Sequence, residues 1–452
     1  MFFSRNAEKQ LMDWKDAPNR KPLIIRGARQ VGKTTLVQNF ARFYKKFISL
    51  NLEKEKDKNF FELYDNVHDI VDALFLDQNI EATELNNTLL FIDEIQESPK
   101  AIAFLRYFFE EIPLLHVICA GSLLEFAIKN VKNFPVGRVS FLYLHPFNFQ
   151  EYLAANEKIL LLEKLKSVPV KATAHSILME NFHRYAMIGG MPEIIQNDFT
   201  LKKISNLSSV YESVLETYKS DVVKYSRGNT ERSVIKYIVD NAASFIDKRI
   251  IFQGFGNSNY KSREVGEAFR ALDASKFIQI IYPTTDTTPP LNPNLRKSPK
   301  IQFLDTGLVN YSLGIQSEML SMKDFNDAYN GSIIPHLIFQ ELISLQVETN
   351  KRYFFWVREK KQSSAEVDLI YTYKNLAIPV EIKSGAAGKL KSLHQFIEAV
   401  DHPYAIRMYA GALQIERAIT PGKKPYLLMN LPYYLGTMMP EYVDWFIKNH
   451  PL

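Results

Sequence analysis

One cysteine, Cys119, is present among 452 residues. No disulfide can form within the chain, which fits a reducing compartment and makes the cytoplasm the expected location. No stretch approaches the roughly 18 apolar residues that span a bilayer, so no membrane partner is expected. The opening stretch MFFSRNAEKQLMDW carries charges throughout and lacks the apolar centre of a signal peptide. There is no low-complexity tract and no internal repeat. Neither charge sign dominates: 55 Lys and Arg against 50 Asp and Glu leave a net +5, compatible with a nucleic-acid partner without arguing for one. What is present is an ordinary globular composition, 46% hydrophobic and 23% charged, on a chain long enough for about two to four domains.

From Lys21 to about Glu151, short apolar runs alternate with helical stretches. The runs are Pro22–Ile25, Phe47–Leu52, Thr88–Ile92, His116–Ala120 and Val139–Leu144. Buried strands separated by helices predict a parallel α/β sheet over residues 1–151. Helical periodicity then dominates over 152–219, interrupted by the turn signal of Tyr185–Glu193, YAMIGGMPE. Residues 220–310 read as mixed. Ser262–Phe277 predicts an amphipathic helix with Ser262 as N-cap, then an apolar strand Phe277–Tyr282 and a proline-rich loop Pro283–Pro299. Residues 311–452 begin afresh. A helix over Ser332–Glu348 precedes strands at Arg352–Arg358, Glu366–Tyr373 and Ala377–Lys383. A helix at Lys389–Val400 and a strand at Tyr404–Ala410 complete an α-β-β-β-α-β order.

With only 18 glycines in the chain, their clustering is informative. Gly27-Ala28-Arg29-Gln30-Val31-Gly32-Lys33-Thr34 fits G-x-x-x-x-G-K-[ST] without departure, between a strand and a helix. Glycines let backbone N–H groups turn inward around a phosphate, and the helix N-terminus adds its dipole. Lys33 is positioned for the β- and γ-phosphates and Thr34 for a Mg²⁺ ion; Thr35 closes the nucleotide-binding run. ATP is therefore the expected ligand. A second element, Leu89-Leu90-Phe91-Ile92-Asp93-Glu94, is a buried strand ending in two acids. Asp93 is expected near Mg²⁺ and Glu94 as the general base for the attacking water. Ser122, after the strand ending at Ala120, is a candidate γ-phosphate sensor, with a helix cap as the alternative. Arg138 is a candidate for stabilising charge on the leaving phosphoryl group; the alternative is a solvated surface arginine.

On RGARQVGKTT (26–35), FIDEIQ (91–96), AGS (120–122), GR (137–138) and PFNFQEY (146–152), the chain resembles a prokaryotic family of AAA-type P-loop ATPases. GGMPE (189–193) extends the likeness. That family pairs its ATPase domain with a C-terminal domain of unassigned function. The resemblance implies ATP binding and hydrolysis, not a physiological substrate. Rings are common among AAA-type ATPases, which makes a homo-oligomer a candidate assembly that Arg138 alone does not establish.

The C-terminal strands carry Asp368, then Glu381 and Lys383. This pattern resembles the D…(D/E)-x-K core of restriction-endonuclease-like nucleases. Asp368 and Glu381 on adjacent strands would hold a second divalent ion, Mg²⁺ or Mn²⁺, and Lys383 would orient water. Glu341, on the preceding helix, matches the acidic residue often found there. His394 is a further candidate for the site, with an ordinary surface histidine as the alternative. A nuclease scaffold kept only for binding stands beside retained cleavage. In the middle region, the helix, strand and loop read as winged-helix-like, with Lys261, Arg263, Arg270, Arg296, Lys297 and Lys300 as candidate DNA contacts; solvated charges are the alternative.

The expected architecture is thus α/β: an AAA-type parallel sheet, a helical and winged-helix-like middle, and a restriction-endonuclease-like C-terminal domain. The expected function is an ATPase whose cycle controls a nuclease-like, DNA-acting domain. The alternative is a nucleotide-controlled switch whose non-cleaving C-terminal module binds protein or nucleic acid.

Overall fold

A computed structural model describes residues 3–451 apart from 123, 125–132, 202–203, 225, 227, 322–330, 348–350, 360–364 and 383–389. The chain forms two compact units. The first is Met1–His145 with Ala274–Lys276 and Gln346–Asn350; the second holds the remainder.

The first unit is built on a parallel sheet of five strands: β1 (Leu23–Arg26), β2 (Lys46–Asn51), β3 (Thr88–Asp93), β4 (His116–Ala120) and β5 (Ser140–Tyr143). Their order is β2-β3-β4-β1-β5. All residues of β3 and β4 are buried, which explains why these two runs are apolar without alternation. Its helices include α1 (Ala7–Lys15), α2 (Lys33–Phe40), α3 (Glu55–Leu63), α4 (Val67–Asp77) and α5 (Pro99–Glu111). Helix starts follow the local sequence. Asn66 accepts from Asp69 N–H at the head of α4, and Ser98 accepts from Ala101 N–H ahead of Pro99 in α5. Ile70, Leu74, Leu90, Ile92, Leu105 and Phe108 share one apolar core between these helices and the sheet.

The order β2-β3-β4-β1-β5 means that β1 lies between β4 and β5, while β4 separates it from β3. The loop after β1 therefore opens beside the ends of β4 and β3. That topology brings Gly27–Thr34, Ser122 and Asp93–Glu94 to one edge of the sheet, the carboxyl edge at which open α/β sheets bind ligands.

The second unit takes in all three downstream regions. Its helices include α6 (Phe149–Ala155), α7 (His175–Ile188), α8 (Asn229–Asn241), α9 (Ser262–Ala274), α10 (Thr306–Ser312) and α11 (Ile333–Ser344). After α9, β6 (Ile278–Ile281) pairs antiparallel with β7 (Lys300–Phe303), so the proline-rich stretch is the connection of a two-stranded ribbon. The regions divided at 219 and 310 share buried polar contacts. Tyr185 of α7, Asp305 ahead of α10 and Gln340 of α11 are mutually hydrogen-bonded through Gln340 Nε2, at 3.3 Å to each.

Six strands form the sheet of this unit: β8 (Phe354–Val357), β9 (Glu366–Tyr373), β10 (Leu376–Ile382), β11 (Tyr404–Tyr409), β12 (Gln414–Ile419) and β13 (Pro425–Pro432). Their order is β12-β13-β11-β10-β9-β8. β8, β9 and β10 are antiparallel, and β10 runs parallel to β11 across the helix α12 (Lys391–Glu398). The expected α-β-β-β-α-β order is present. β12, β13 and a final helix, α13 (Met439–Asn449), extend it beyond the sequence expectation.

Candidate nucleotide site

Three residues of the loop after β1 have positive φ: Gly27 at 153°, Gln30 at 60° and Gly32 at 91°. Positive-φ residues interspersed with negative-φ ones turn N–H groups toward one centre, as in an anion-binding concavity. Gly27 also answers a close approach, since a Cβ there would stand 2.2 Å from the carbonyl oxygen of Leu144. Gly32 is the N-cap of α2, so the loop runs directly into a helix N-terminus.

Lys33 is buried, and its ammonium donates to the carbonyls of Gly27 at 3.0 Å and Ala28 at 2.8 Å. It thus spans the loop on its inner side. Burial pushes its pKa down to about 8 and Arg29 adds to the fall, while Glu94 and Asp93 oppose it. Arg29 itself lies 3.7 Å from Glu53. Thr34 Oγ1 donates to Asp93 Oδ2 at 2.7 Å. Burial raises the pKa of Asp93, with Glu94 adding, against hydrogen bonds from Thr34 and the Glu94 N–H and the charge of Lys33. The Thr34 hydroxyl and a carboxylate at hydrogen-bond distance are the donor set a hard divalent cation accompanying a nucleotide requires. Ala28 and Val31 are buried, and Thr35 faces solvent.

Glu94 leaves β3 in the left-handed region, with φ 50° and ψ 45°. A non-glycine residue held there marks a position fixed by its surroundings. Its N–H donates to Asp93 Oδ1 at 3.0 Å, and its own carboxylate accepts from Gln96 Nε2. Gln96 in turn fills the space a side chain at Gly121 would need, since a Cβ there would stand 2.4 Å from Gln96 Oε1. Ser122 is buried just past β4, and its hydroxyl has no hydrogen-bond partner among the described residues.

Arg138 is placed differently. It is half exposed, and its Nε donates to Glu110 on α5 at 3.1 Å. Two residues that sequence reasoning passed over belong to the site. One is Gln96, which lay inside the quoted FIDEIQ stretch without a role. The other is Arg5, which holds the loop from behind and has no local signature.

The C-terminal candidates are only partly brought together. Val380 pairs with Leu369 across β10 and β9, so Asp368 and Glu381 occupy the next cross-strand positions. Asp368 Oδ2 accepts from Ile382 N–H at 2.7 Å, and Glu381 is buried. Lys383 lies outside the described residues. Glu341 is fully buried on α11, where it accepts from Phe149 N–H at 3.1 Å and contacts Tyr185 Oη at 2.6 Å. His394 contacts Tyr426 Oη at 2.9 Å.

One expected DNA contact is corrected. Lys300 is nearly buried at the start of β7, paired with Asp247 at 2.5 Å and Glu366 at 2.7 Å. Burial by itself would lower its pKa, but Asp247, Glu366 and Asp368 together hold it above the ordinary lysine value. It is a structural cation and not one exposed on a wing. Arg263 is exposed and paired with Glu267 one turn on.

A model described as an AAA domain matches residues 19–153. With the topology and loop geometry above, those residues are an AAA-type P-loop ATPase domain. Two models described as domains of unknown function, DUF8612 and DUF4143, match residues 179–319 and 330–424. Among curated proteins no sequence matches the chain. Similar solved structures include the Walker-type ATPase PABY2304 of Pyrococcus abyssi, at 13% identity and TM-score 0.39, covering 69% of this chain and 96% of that one. Another is AMPPCP-bound DnaA from Aquifex aeolicus, at 14% identity and TM-score 0.26, covering 61% and 90%. A third is the Signal Transduction ATPase with Numerous Domains (STAND) protein PH0952 from Pyrococcus horikoshii, with a tetratricopeptide repeat sensor. It matches at 12% identity and TM-score 0.29, covering 76% and 46%. No helix among the described residues is long and apolar enough to cross a membrane.

Proposed function

We propose that this chain hydrolyses ATP as a switch, with Glu94 as the general base. The observation carrying this is Glu94 fixed in a left-handed conformation beside Asp93, its carboxylate aligned by Gln96. A carboxylate so placed takes the proton of the water that attacks the γ-phosphorus. Lys33 neutralises the β- and γ-oxygens, and the inward N–H groups of 27–34 hold the phosphates in place. Thr34 and Asp93 would hold Mg²⁺, which supplies charge neutralisation at the phosphates. Ser122, with a buried hydroxyl that has no hydrogen-bond partner among the described residues, suits a contact to the γ-phosphate. Arg138, half exposed and paired with the surface carboxylate of Glu110, suits action on a neighbouring copy. The test is turnover and binding measured together: Glu94→Gln should keep ATP affinity near wild type and lose most phosphate release. Turnover close to wild type would remove Glu94 as base.

For the C-terminal sheet, the non-cleaving reading is favoured by Lys300. A buried ammonium that electrostatically supports Asp368 opposes a second cation at that carboxylate. On this reading the unit binds a protein or nucleic-acid partner under nucleotide control. The test is supercoiled DNA incubated with Mg²⁺ or Mn²⁺, with and without ATP. Nicking by wild type that Asp368→Ala abolishes would overturn the reading in favour of a nuclease.

A further inference from the structure

Arg5 lies ahead of α1 and is 7% exposed, an unusual degree of burial for an arginine. Its guanidinium forks between two carbonyls distant in sequence. Nη1 donates to Val31 at 2.9 Å and Nη2 to His145 at 2.6 Å. Val31 is the last carbonyl before the α2 ladder begins, since Leu36 N–H already bonds to Gly32. His145 follows β5, and its ring contacts the Gln346 carbonyl at 3.2 Å. Two residues earlier, the Tyr143 N–H donates to the Val347 carbonyl at 2.6 Å, so the second anchor is itself tied down.

A trans peptide is planar, and its C=O and N–H point in opposite directions. A donor that fixes the Val31 carbonyl outward therefore fixes the Gly32 N–H on the opposite side, into the loop. Gly32, at φ 91°, has no side chain to restrict that peptide, so without an external tether it is free to rotate. These two guanidinium contacts are to carbonyls, and the fork geometry suits two acceptors at once in a way that an ammonium does not. We infer that Arg5 is a positioning residue for ATP: it locks the Val31–Gly32 peptide so that the Gly32 N–H faces the phosphates. It does so without touching the nucleotide. This rests on the nucleotide-site reading of Gly27–Thr34.

The test compares ATP and ADP affinity, KM and kcat for wild type, Arg5→Ala, Arg5→Lys and Arg42→Ala. Arg42, just past the end of α2, holds α1 through Glu8 at 3.0 Å, so it reports the effect of loosening α1 alone. Loss of a charged donor to a buried carbonyl predicts an increase of about tenfold or more in Kd and KM for Arg5→Ala. Arg5→Lys, which can satisfy one carbonyl, should fall between, and Arg42→Ala should stay within about twofold of wild type. A merely structural Arg5 would lower the melting temperature and the active fraction but leave KM of the folded protein unchanged. That result overturns the inference, as does an equal rise for Arg42→Ala. Should Arg5→Ala not fold, Arg5→Lys decides, with wild-type KM again the refuting outcome. If wild type itself fails to bind ATP, the nucleotide-site reading fails first, and the two failures are distinguishable.

Discussion

Tyr185 Oη lies 2.6 Å from Glu341 Oε1 and 2.8 Å from the carbonyl of Phe147. A phenol has one hydrogen, and a carbonyl can only accept. Tyr185 therefore donates to Phe147, and the Glu341 contact needs its hydrogen from the carboxyl group. Gln340 Nε2, 3.3 Å away, supplies a further donor to the Tyr185 oxygen. Burial pushes the Glu341 pKa up to about 8, Glu151 adds to this, and the bond from Phe149 N–H opposes it. Geometry and solvation thus agree on a neutral acid in the core of the second unit.

This has a consequence for stability against pH. The folded pKa is raised above the unfolded value of 4.5. The contribution is therefore fully present below about 4.5 and fades as pH rises through about 8. Between 4.5 and neutrality the fade amounts to roughly 3 kcal/mol. Asp305, also buried and raised to about 6, works in the same direction. Glu341→Gln keeps an acceptor for Phe149 and a donor for Tyr185 at every pH. It should be nearly neutral at pH 5 and stabilising at pH 8 in denaturant titrations. A wild-type-minus-mutant difference that is constant with pH would show that Glu341 is ionised in the native state.

Lys33 makes nucleotide affinity depend on pH at the alkaline end. With its pKa lowered to about 8, the unliganded ammonium begins to lose its proton just above neutrality. Bound phosphates favour the charged form, so binding above about pH 8 must take up a proton. Kd for ATP should be flat from about pH 7 to 7.5 and rise toward tenfold per unit above 8. Isothermal titration in buffers of differing ionisation heat measures the uptake directly. Lys33→Ala should abolish the stabilisation of roughly 2.7 kcal/mol expected from ATP at about 100 times its Kd. No proton uptake at pH 9 in wild type would mean that Lys33 is fully charged before ATP arrives.

What could be read ahead of the fold divides along a physical line. The strands β1 to β5 lie within one or two residues of their apolar runs because a buried parallel strand writes its whole length in Val, Ile, Leu and Phe. The phosphate loop was equally legible, since its glycines answer a local backbone demand, the positive φ of Gly27 and Gly32. Arg5 was not legible, because its two acceptors lie 26 and 140 residues away. Lys300 misled for the same reason: a lysine beside a proline-rich loop looks solvated until Asp247 and Glu366 are brought to it. β12 was missed because it is an edge strand with a largely exposed pattern. Its partner β13 is a buried apolar run, joined to β12 by the turn that Thr420 and Lys424 close.

The buried position of Lys300 gives a stability prediction. Lys300→Met removes the cation from between Asp247 and Glu366 while keeping the stem volume. Glu366 retains Arg249 at 2.7 Å, but one ammonium no longer serves the pair. Leaving these half-buried carboxylates short of a partner costs roughly 1–3 kcal/mol, between an exposed and a fully buried pair. The deficit should shrink toward acid pH, because Lys300 helps hold the Glu366 pKa down and without it that carboxylate protonates more readily. Unfolding by urea at pH 7 and at pH 4.5 measures both values. A loss under about 1 kcal/mol at pH 7 would place Lys300 in solvent and restore it as a candidate for nucleic-acid contact.

Gln96 offers a way to separate the alignment of the base from its chemistry. It donates to the Glu94 carboxylate and occupies the space beside Gly121. Without that donor, Glu94 keeps its backbone conformation, which is set by the strand end and the contact with Asp93. Its carboxylate, however, gains rotamers that point away from the attacking water. Misalignment of a general base lowers the chemical step and leaves binding of the phosphates alone. Gln96→Ala should therefore lower kcat about tenfold or more with KM for ATP within about twofold. Gln96→Glu should lower it further, because a second carboxylate repels the Glu94 carboxylate instead of donating to it. Steady-state phosphate release over a range of ATP concentrations gives both constants. A rise in KM at constant kcat would assign Gln96 to nucleotide binding, and the aligned-base account of Glu94 would have to be given up.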